Sequence, residues 1–251
     1  MERVYTKIIA GVHKYLKENQ FDKAVIGVSG GLDSALTLKL AVDALGADNI
    51  TAVLMPEKGV SVDENFIQAK ALCQFLKIEY FSLPINRFLT DFLTLPWKPN
   101  SLAQINMKSR LRASILYNFA NTRNALVLGT ANKTDLILGY GAKYGRLAAD
   151  LNVIGSLYKT EVIELARHAG LPEEFINKKP SPELYVGHTD EDELGVGFVE
   201  IDTILRKIGE GISKEDLINK GIPPHVVHKI FRLISSNAHK TSPVPVIEFS
   251  K

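Results

Sequence analysis

Lys23-Ala-Val-Ile-Gly-Val-Ser-Gly-Gly-Leu-Asp-Ser34 is the stretch on which the fold turns. Its first half is a short apolar run, Ala24, Val25, Ile26 and Val28, of the length of a buried strand, and Gly27, Gly30 and Gly31 bring that run to an end. The next segment, 33–45, places Ala35, Leu36, Leu38, Leu40, Ala41, Val42 and Leu45 around a wide apolar helical face. A buried strand that passes through a glycine-rich turn directly into a helix is the first half of a βαβ unit.

The pattern repeats along the chain. Ile50–Met55 and Glu79–Leu83 read as further short strands, separated by a helix over 62–77 that is capped near Ser61 or Asp63. Pro84, Pro96 and Pro99 mark 84–101 as an irregular excursion, and a long helix covers about 102–122. Ala125–Leu128 is a fourth strand that ends at Gly129. Residues 2–18, with Val4, Ile8, Ile9, Val12 and Leu16 near helical spacing, precede the first strand as a helix. Short apolar runs alternating with helices predict an α/β fold, a doubly wound parallel sheet with helices on both faces and right-handed crossovers. The second half is more helical. A helix over 159–169 stops at Gly170 and Pro172, and 171–189 is loop-like. Thr189-Asp-Glu-Asp192 reads as the start of a helix running towards Ile208, and 223–237 as a packed terminal helix followed by an extended tail. The whole of 1–251 is expected to be one α/β domain with a helical C-terminal part at about 190–240.

Composition narrows the functional classes. In 251 residues, 45% hydrophobic and 23% charged side chains suit a folded globular chain and exclude wholesale disorder. No apolar run approaches the roughly 20 residues of a membrane span, and the N-terminus lacks the apolar core of a signal peptide. Thirty basic against 28 acidic residues leave a formal charge of +2, too balanced to argue for a nucleic-acid surface. The lone cysteine, Cys73, excludes an internal disulfide framework and fits the cytoplasm. Its neighbours Ala71, Leu72, Phe75 and Leu76 make it a core residue rather than a nucleophile. His225 and His228 lack a third ligand and read as surface or packing residues.

The turn at 27–34 carries the chemistry. Glycines let backbone N–H groups approach an anion at the start of a helix, and Ser29 and Ser34 add hydroxyl donors, so the loop is suited to phosphate. It is not a Walker A loop, because no Lys-Ser/Thr follows the glycines, and the glycine spacing is not the dinucleotide fingerprint. It does match G-x-S-x-G, but a nucleophile elbow normally follows several strands and here it follows the first. A bare strand-to-helix turn is the alternative, and it leaves Asp33 and two serines without a reason.

Ser29-Gly-Gly-Leu-Asp-Ser34 resembles the SGGxDS signature of the ATP pyrophosphatase (PP-loop, adenine nucleotide alpha hydrolase-like) superfamily, whose members split ATP to AMP and pyrophosphate. Gly129-Thr-Ala-Asn-Lys-Thr-Asp-Leu-Ile-Leu-Gly-Tyr140, Lys143-Tyr-Gly145, Gly155-Ser-Leu-Tyr-Lys159, Lys179-Pro-Ser181 and Thr189-Asp-Glu-Asp-Glu-Leu-Gly195 follow in an order similar to that of ammonia-dependent NAD synthetases. The resemblance runs from about residue 5 to 240. It implies ATP-dependent amidation of deamido-NAD by ammonia, through an acyl-adenylate, in a cytoplasmic homodimer without a membrane or nucleic-acid partner. It also implies no built-in glutaminase. With strand order 3-2-1-4, the loops 29–34 and 129–135 lie side by side at the switch point, where ligands of such sheets bind.

The roles the resemblance implies are as follows. Asp33 and Lys159 are the catalytic pair. Ser29, Gly30, Gly31, Asp33, Ser34, Met55, Arg112, Thr130, Lys159 and Ser181 bind ATP. Tyr144, Arg146, Asp150, His239 and Lys240 bind the dinucleotide, and Asp33 and Asp135 hold Mg²⁺. Arg112, with Arg110, could equally decorate a solvated helix face, and Pro56 beside Met55 could be a plain strand stop. The acidic run 190–193 suits a helix N-terminus better than a metal site.

The departures from the family pattern fall mainly on the acyl side. Arg146 stands where the family commonly has aspartate, Val153 where it has proline, and Pro180-Ser-Pro-Glu-Leu184 replaces Pro-Ser/Thr-Ala-Asp-Leu. His188-Thr189 stands in place of a glutamine, and Asp135 replaces a glutamate. An arginine at 146 suits an anionic group on the substrate. The ATP-dependent step is therefore expected to stand, with deamido-NAD or a different carboxylate as acceptor. A binding protein that keeps ATP affinity without turnover is the reading from another class.

Overall fold

The computed structural model describes residues 1–61, 63–178 and 195–249. Its centre is a five-stranded, all-parallel sheet in the order β3-β2-β1-β4-β5. The strands are β1 (Lys23–Gly27), β2 (Ile50–Leu54), β3 (Glu79–Ser82), β4 (Ala125–Gly129) and β5 (Leu151–Asn152). The helices are α1 (Glu2–Glu18), α2 (Leu32–Leu45), α3 (Asp63–Phe75), α4 (Asn86–Leu89), α5 (Ser101–Arg123), α6 (Lys133–Leu138), α7 (Lys159–His168), α8 (Glu173–Ile176), α9 (Phe198–Gly209), α10 (Lys214–Asn219) and α11 (Pro224–Asn237).

Strand alternation distributes the core. Ala24 and Ile26, Ile50, Ala52 and Leu54, and Leu126 and Leu128 point to one face, where α1, α2, α3, α7 and α8 pack on them. Val25, Val53 and Val127 point to the other, where Ile85 and the α5 residues Ala120, Ile115 and Leu116 meet them. Burial on both faces explains why the strands read as continuous apolar runs. Each buried aliphatic side chain of this kind contributes roughly 1.5–3 kcal/mol. A third cluster joins Leu138 and Tyr158 to α9, α10 and α11 through Phe198, Ile201, Leu205, Leu217, Val227 and Ile230. This C-terminal group of helices thus rests on α6 and α7, two elements that follow β4.

Three local readings are corrected. The excursion 84–101 contains α4 and a 3-10 turn at Thr90–Thr94. The loop-like 171–189 contains α8 in its described part. The helix towards Ile208 starts at Phe198, because Gly195 takes φ +71° and Gly197 is the extended N-cap. The run Thr189–Glu193 itself lies outside the described residues. Finally, β5 and α6 were not read from the sequence; β5 is two residues long, and α6 carries a side-chain signal only at its Asn132 cap.

Candidate active site

The sheet order reverses between β1 and β4, and a cavity of about 690 Å³ opens beyond the carboxyl ends of β1, β2 and β4. Among the described residues that line it, seven are lysine or arginine and two are acidic, although the chain as a whole is nearly neutral. Its remaining wall includes Met55, Phe66, Ile105, Leu116, Tyr140 and Leu233, which suits a flat aromatic ring. A polyanion with an apolar end matches both halves of that lining.

The loop after β1 is built around its own hydroxyls. Ser34 Oγ donates to the Gly31 carbonyl at 2.9 Å and lies 3.2 Å from Ser29 Oγ. The Gly31 amide donates to Ser29 Oγ at 3.3 Å. Gly30 takes φ +87°, and a Cβ there would stand 2.1 Å from the Asn65 carbonyl oxygen of α3. Only glycine fits that approach. Gly31 is the N-cap of α2 and supplies no side chain to the first turn. Asp33 sits in that turn, where the helix dipole favours its negative charge.

The loop after β4 faces it. Asn132 caps α6 by accepting from the Asp135 amide at 2.9 Å, and the Asp135 carboxylate accepts in return from the Asn132 amide at 3.4 Å. Asn132 Nδ2 also donates to Asp33 Oδ1 at 3.4 Å, so one side chain ties the two loops together. Lys159, the first residue of α7, is 3% exposed and places Nζ 2.7 and 2.8 Å from the two Asp33 oxygens. Arg146 Nη2 lies 2.8 Å from Asp135 Oδ2 and 3.4 Å from Asp33 Oδ2. Among the described residues, two carboxylates and two cations therefore form one cluster, of which Asp33, Arg146 and Lys159 line the cavity. A single guanidinium nitrogen touches both carboxylates.

The platform beneath Lys159 is an arrangement the sequence did not reveal. Its backbone amide donates to Thr134 Oγ1 at 3.0 Å, Thr134 donates onward to Asp202 Oδ1 at 2.5 Å, and Asp202 Oδ2 accepts from the Thr160 amide at 2.8 Å. Asp202 is 2% exposed and comes from α9. Its carboxylate thus fixes the start of α7 and the first turn of α6, which carries Asp135. The available signal was an aspartate next to Ile201 on an otherwise apolar helix face. Lys178 was also missed. It lines the cavity and donates to the Gly30 carbonyl at 3.2 Å and to Gln68 at 2.6 Å.

The other expected site residues are distributed unevenly. Ser29, Gly31, Ser34, Met55, Arg112, Thr130 and Lys240 line the same cavity as Asp33, Lys159 and Arg146. Arg112 is not merely on a solvated face: its Nε donates to the Met55 carbonyl at 3.0 Å, bridging α5 to the end of β2. Gly30 and Asp135 are not among the residues that line the cavity. Tyr144 is largely exposed with φ +62°, and the cavity wall does not include it. Asp150 also lies off the wall. Its carboxylate accepts from the Val127 amide at 2.8 Å, and its carbonyl accepts from Tyr15 at 2.8 Å, so it locks β4 and α1 together. Burial and the Asp150 charge push the Tyr117 phenol up to about 12. The His239 carbonyl accepts from Lys143 Nζ at 2.6 Å, and Lys240 Nζ donates to the Gly139 carbonyl at 3.0 Å. The C-terminal turn thereby folds back on the segment after α6. Ser181 lies outside the described residues. Cys73 is fully buried, and burial pushes its thiol up to about 12, in keeping with a core role.

Comparison with known proteins decides the lineage. The family described as NAD synthase matches residues 4–244. The chain belongs to the NAD synthase family. A relative from Methanosarcina acetivorans, named NH(3)-dependent NAD(+) synthetase, is 40% identical with 98% of each chain covered. One of the same name from Methanocaldococcus jannaschii is 38% identical, covering 99% of this chain and 97% of that one. Among solved structures, the NH3-dependent NAD synthetase of Campylobacter jejuni superposes with a TM-score of 0.83 at 32% identity, covering 98% of both chains. The NMN synthetase of Francisella tularensis superposes with a TM-score of 0.86 at 28% identity, covering 99% of this chain and 98% of that one. The parallel sheet with its glycine-rich turn after β1 is thus the fold of the NAD synthase family.

Proposed function

We propose that this NAD synthase family member converts deamido-NAD, ATP and ammonia to NAD, AMP and pyrophosphate. The observation that carries the reading is the paired Asp33 and Lys159, set against the Ser29–Ser34 loop at the floor of a cationic cavity. The names of the relatives supply ammonia as the nitrogen source and NAD as the product.

The chemistry has two steps. A nicotinate carboxylate oxygen attacks the α-phosphorus of ATP, an acyl-adenylate forms, and pyrophosphate leaves. Ammonia then adds to the acyl carbon, loses a proton, and AMP departs with the bridging oxygen. No covalent bond to the protein is required. Backbone amides of the 29–34 loop and the Ser29 and Ser34 hydroxyls would hold the phosphates. Lys159 Nζ, already buried and held in place, would offset charge growing on pyrophosphate without reorganising. Arg112 and Met55 would place the adenosine end, while Arg146 and Lys240 would face the acyl substrate. Asp33 and Asp135, both touched by one Arg146 nitrogen, offer hard anionic oxygens, the donor type that Mg²⁺ takes with phosphate oxygens and water. When bound, Mg²⁺ would neutralise the triphosphate. The homodimer expected from the family belongs to the same reading, and sedimentation equilibrium tests it.

A second acceptor is favoured by one observation. The NMN synthetase structure covers nearly the whole chain, and the acyl side here carries Arg146. Nicotinate mononucleotide, the acid matching that product, would undergo the same two steps. Purified protein given MgATP, ammonium and each acid in turn separates the two readings. NAD, AMP and pyrophosphate in equal amounts from deamido-NAD, at the higher kcat/KM, support the first. Preference for the mononucleotide selects the second, and no amide from either acid contradicts both.

A further inference from the structure

The four-charge cluster at the cavity floor has two unlike cations. Lys159 is 3% exposed and contacts both oxygens of Asp33. Arg146 is 31% exposed and reaches across from the other side to touch Asp33 and Asp135 with one nitrogen. Its backbone is anchored independently of its side chain. The Arg146 amide donates to Ser109 Oγ at 2.8 Å, and Gly145 packs so tightly on Ser109 that a Cβ would approach its Oγ to 2.4 Å. The segment that carries the guanidinium is thus held on α5 by contacts other than those to the carboxylates.

The charge balance matters for any divalent cation. Among the described residues, the two carboxylates already face one ammonium and one guanidinium, with which a dication has to compete. A divalent ion at Asp33 and Asp135 must also take the place of the guanidinium, because Arg146 Nη2 lies 2.8 Å from Asp135 and 3.4 Å from Asp33. Arg146 lines the same cavity as the glycine-rich turn after β1. A triphosphate there would give its planar fork a new anionic partner, with geometry suited to paired phosphate oxygens.

We propose that Arg146 is a resident counter-cation that holds Asp33 and Asp135 until nucleotide arrives, so that divalent-cation binding at these carboxylates depends on the nucleotide. This rests on the reading of Asp33 and Asp135 as the cation-holding pair. The arrangement makes Arg146 a positioning residue, and it couples two ligands through one side chain. By linkage, the cation must strengthen nucleotide binding by the same factor. It also gives the arginine on the acyl side a role that does not depend on which carboxylate is amidated.

The test uses the intact protein without nucleotide, titrated with Mn²⁺ and followed by the electron paramagnetic resonance signal of the free ion. Wild type and Arg146→Lys, which keeps the charge, are expected to bind Mn²⁺ weakly. Arg146→Gln is expected to bind ~10-fold tighter or more, within the usual range of coupling between linked ligands. Adding Asp135→Asn to Arg146→Gln should remove the gain, and thermal unfolding of each variant verifies that it is folded. Equal Mn²⁺ affinity in wild type and Arg146→Gln overturns the proposal. The underlying carboxylate reading has its own control: Mn²⁺ should tighten binding of a non-hydrolysable ATP analogue to wild type but not to Asp135→Asn. If Asp135→Asn keeps that tightening, the carboxylate reading falls and the proposal falls with it. If the tightening is lost while Arg146→Gln leaves Mn²⁺ affinity unchanged, only the role of Arg146 is overturned.

Discussion

Asp202→Ala removes a carboxylate that lies outside the cavity wall yet holds the platform under Lys159. The side chain is 2% exposed and accepts from Thr134 Oγ1 at 2.5 Å and from the Thr160 amide at 2.8 Å. Hydrogen bonds to a charged group contribute roughly 1.5–3 kcal/mol each, and alanine leaves both donors buried without that acceptor. The expected loss is about 3–5 kcal/mol. For a chain of this size, each kcal/mol shifts the midpoint by ~2–4 °C, so Tm should fall by about 10 °C. The same chain of contacts carries the Lys159 amide through Thr134, so turnover should fall as well. A misplacement of ~1 Å at a charge-stabilising group costs ~100-fold in rate, the loss expected for kcat/KM. Asp202→Asn should fall between wild type and alanine. Its amide can still accept from Thr160, but it donates towards a hydroxyl that already accepts from Lys159. Calorimetry and steady-state NAD formation at a temperature where both variants are folded measure the two effects. A Tm within about 2 °C of wild type for Asp202→Ala would refute the energetic argument. A full kcat/KM in a destabilised variant would refute the link to Lys159.

Three further outcomes are expected. Gly30→Ala forces a Cβ to 2.1 Å from the Asn65 carbonyl at φ +87°, with ~1–2 kcal/mol of backbone strain from φ alone, so calorimetric affinity for an ATP analogue should fall ~10-fold or more. Lys159→Met keeps the length but not the charge beside Asp33, and kcat should drop ~100–1000-fold with a smaller change in KM for the acid, read by pyrophosphate release. Because the folded state holds the Tyr117 proton up to about pH 12 against an ordinary value of 10.0, its stabilising contribution is intact below pH 10 and is lost as pH rises through 12. Tyr117→Phe should therefore flatten the fall of the urea midpoint across that window; an unchanged slope would contradict the assignment.

The sheet and the glycine-rich turn after β1 were legible because each signal is local. Val25, Ile26 and Val28 run into Gly30 and Gly31, and the α2 apolar face follows at once. The partners of that loop were only half legible. Asp135 and Lys159 could be placed from the sequence motifs, but the contact of Arg146 with both carboxylates depends on a turn packed against Ser109, over thirty residues away. Asp202 was invisible for the same reason, since its meaning lies in Thr134 and Thr160. Asp150 shows the converse. A polar residue beside the motifs reads as a ligand contact, yet its oxygens close β4 and α1. The described helix α9 begins at Phe198, after Gly195 and Gly197, and the acidic run read as its start lies outside the described residues.

The central claim is that the substrate carboxylate is adenylated before ammonia displaces AMP. Deamido-NAD labelled with ¹⁸O in its nicotinate carboxylate tests this directly, with the released AMP analysed by mass spectrometry. The account requires one labelled oxygen in AMP and none in pyrophosphate. Label in pyrophosphate, or NAD formed with unlabelled AMP, would contradict it.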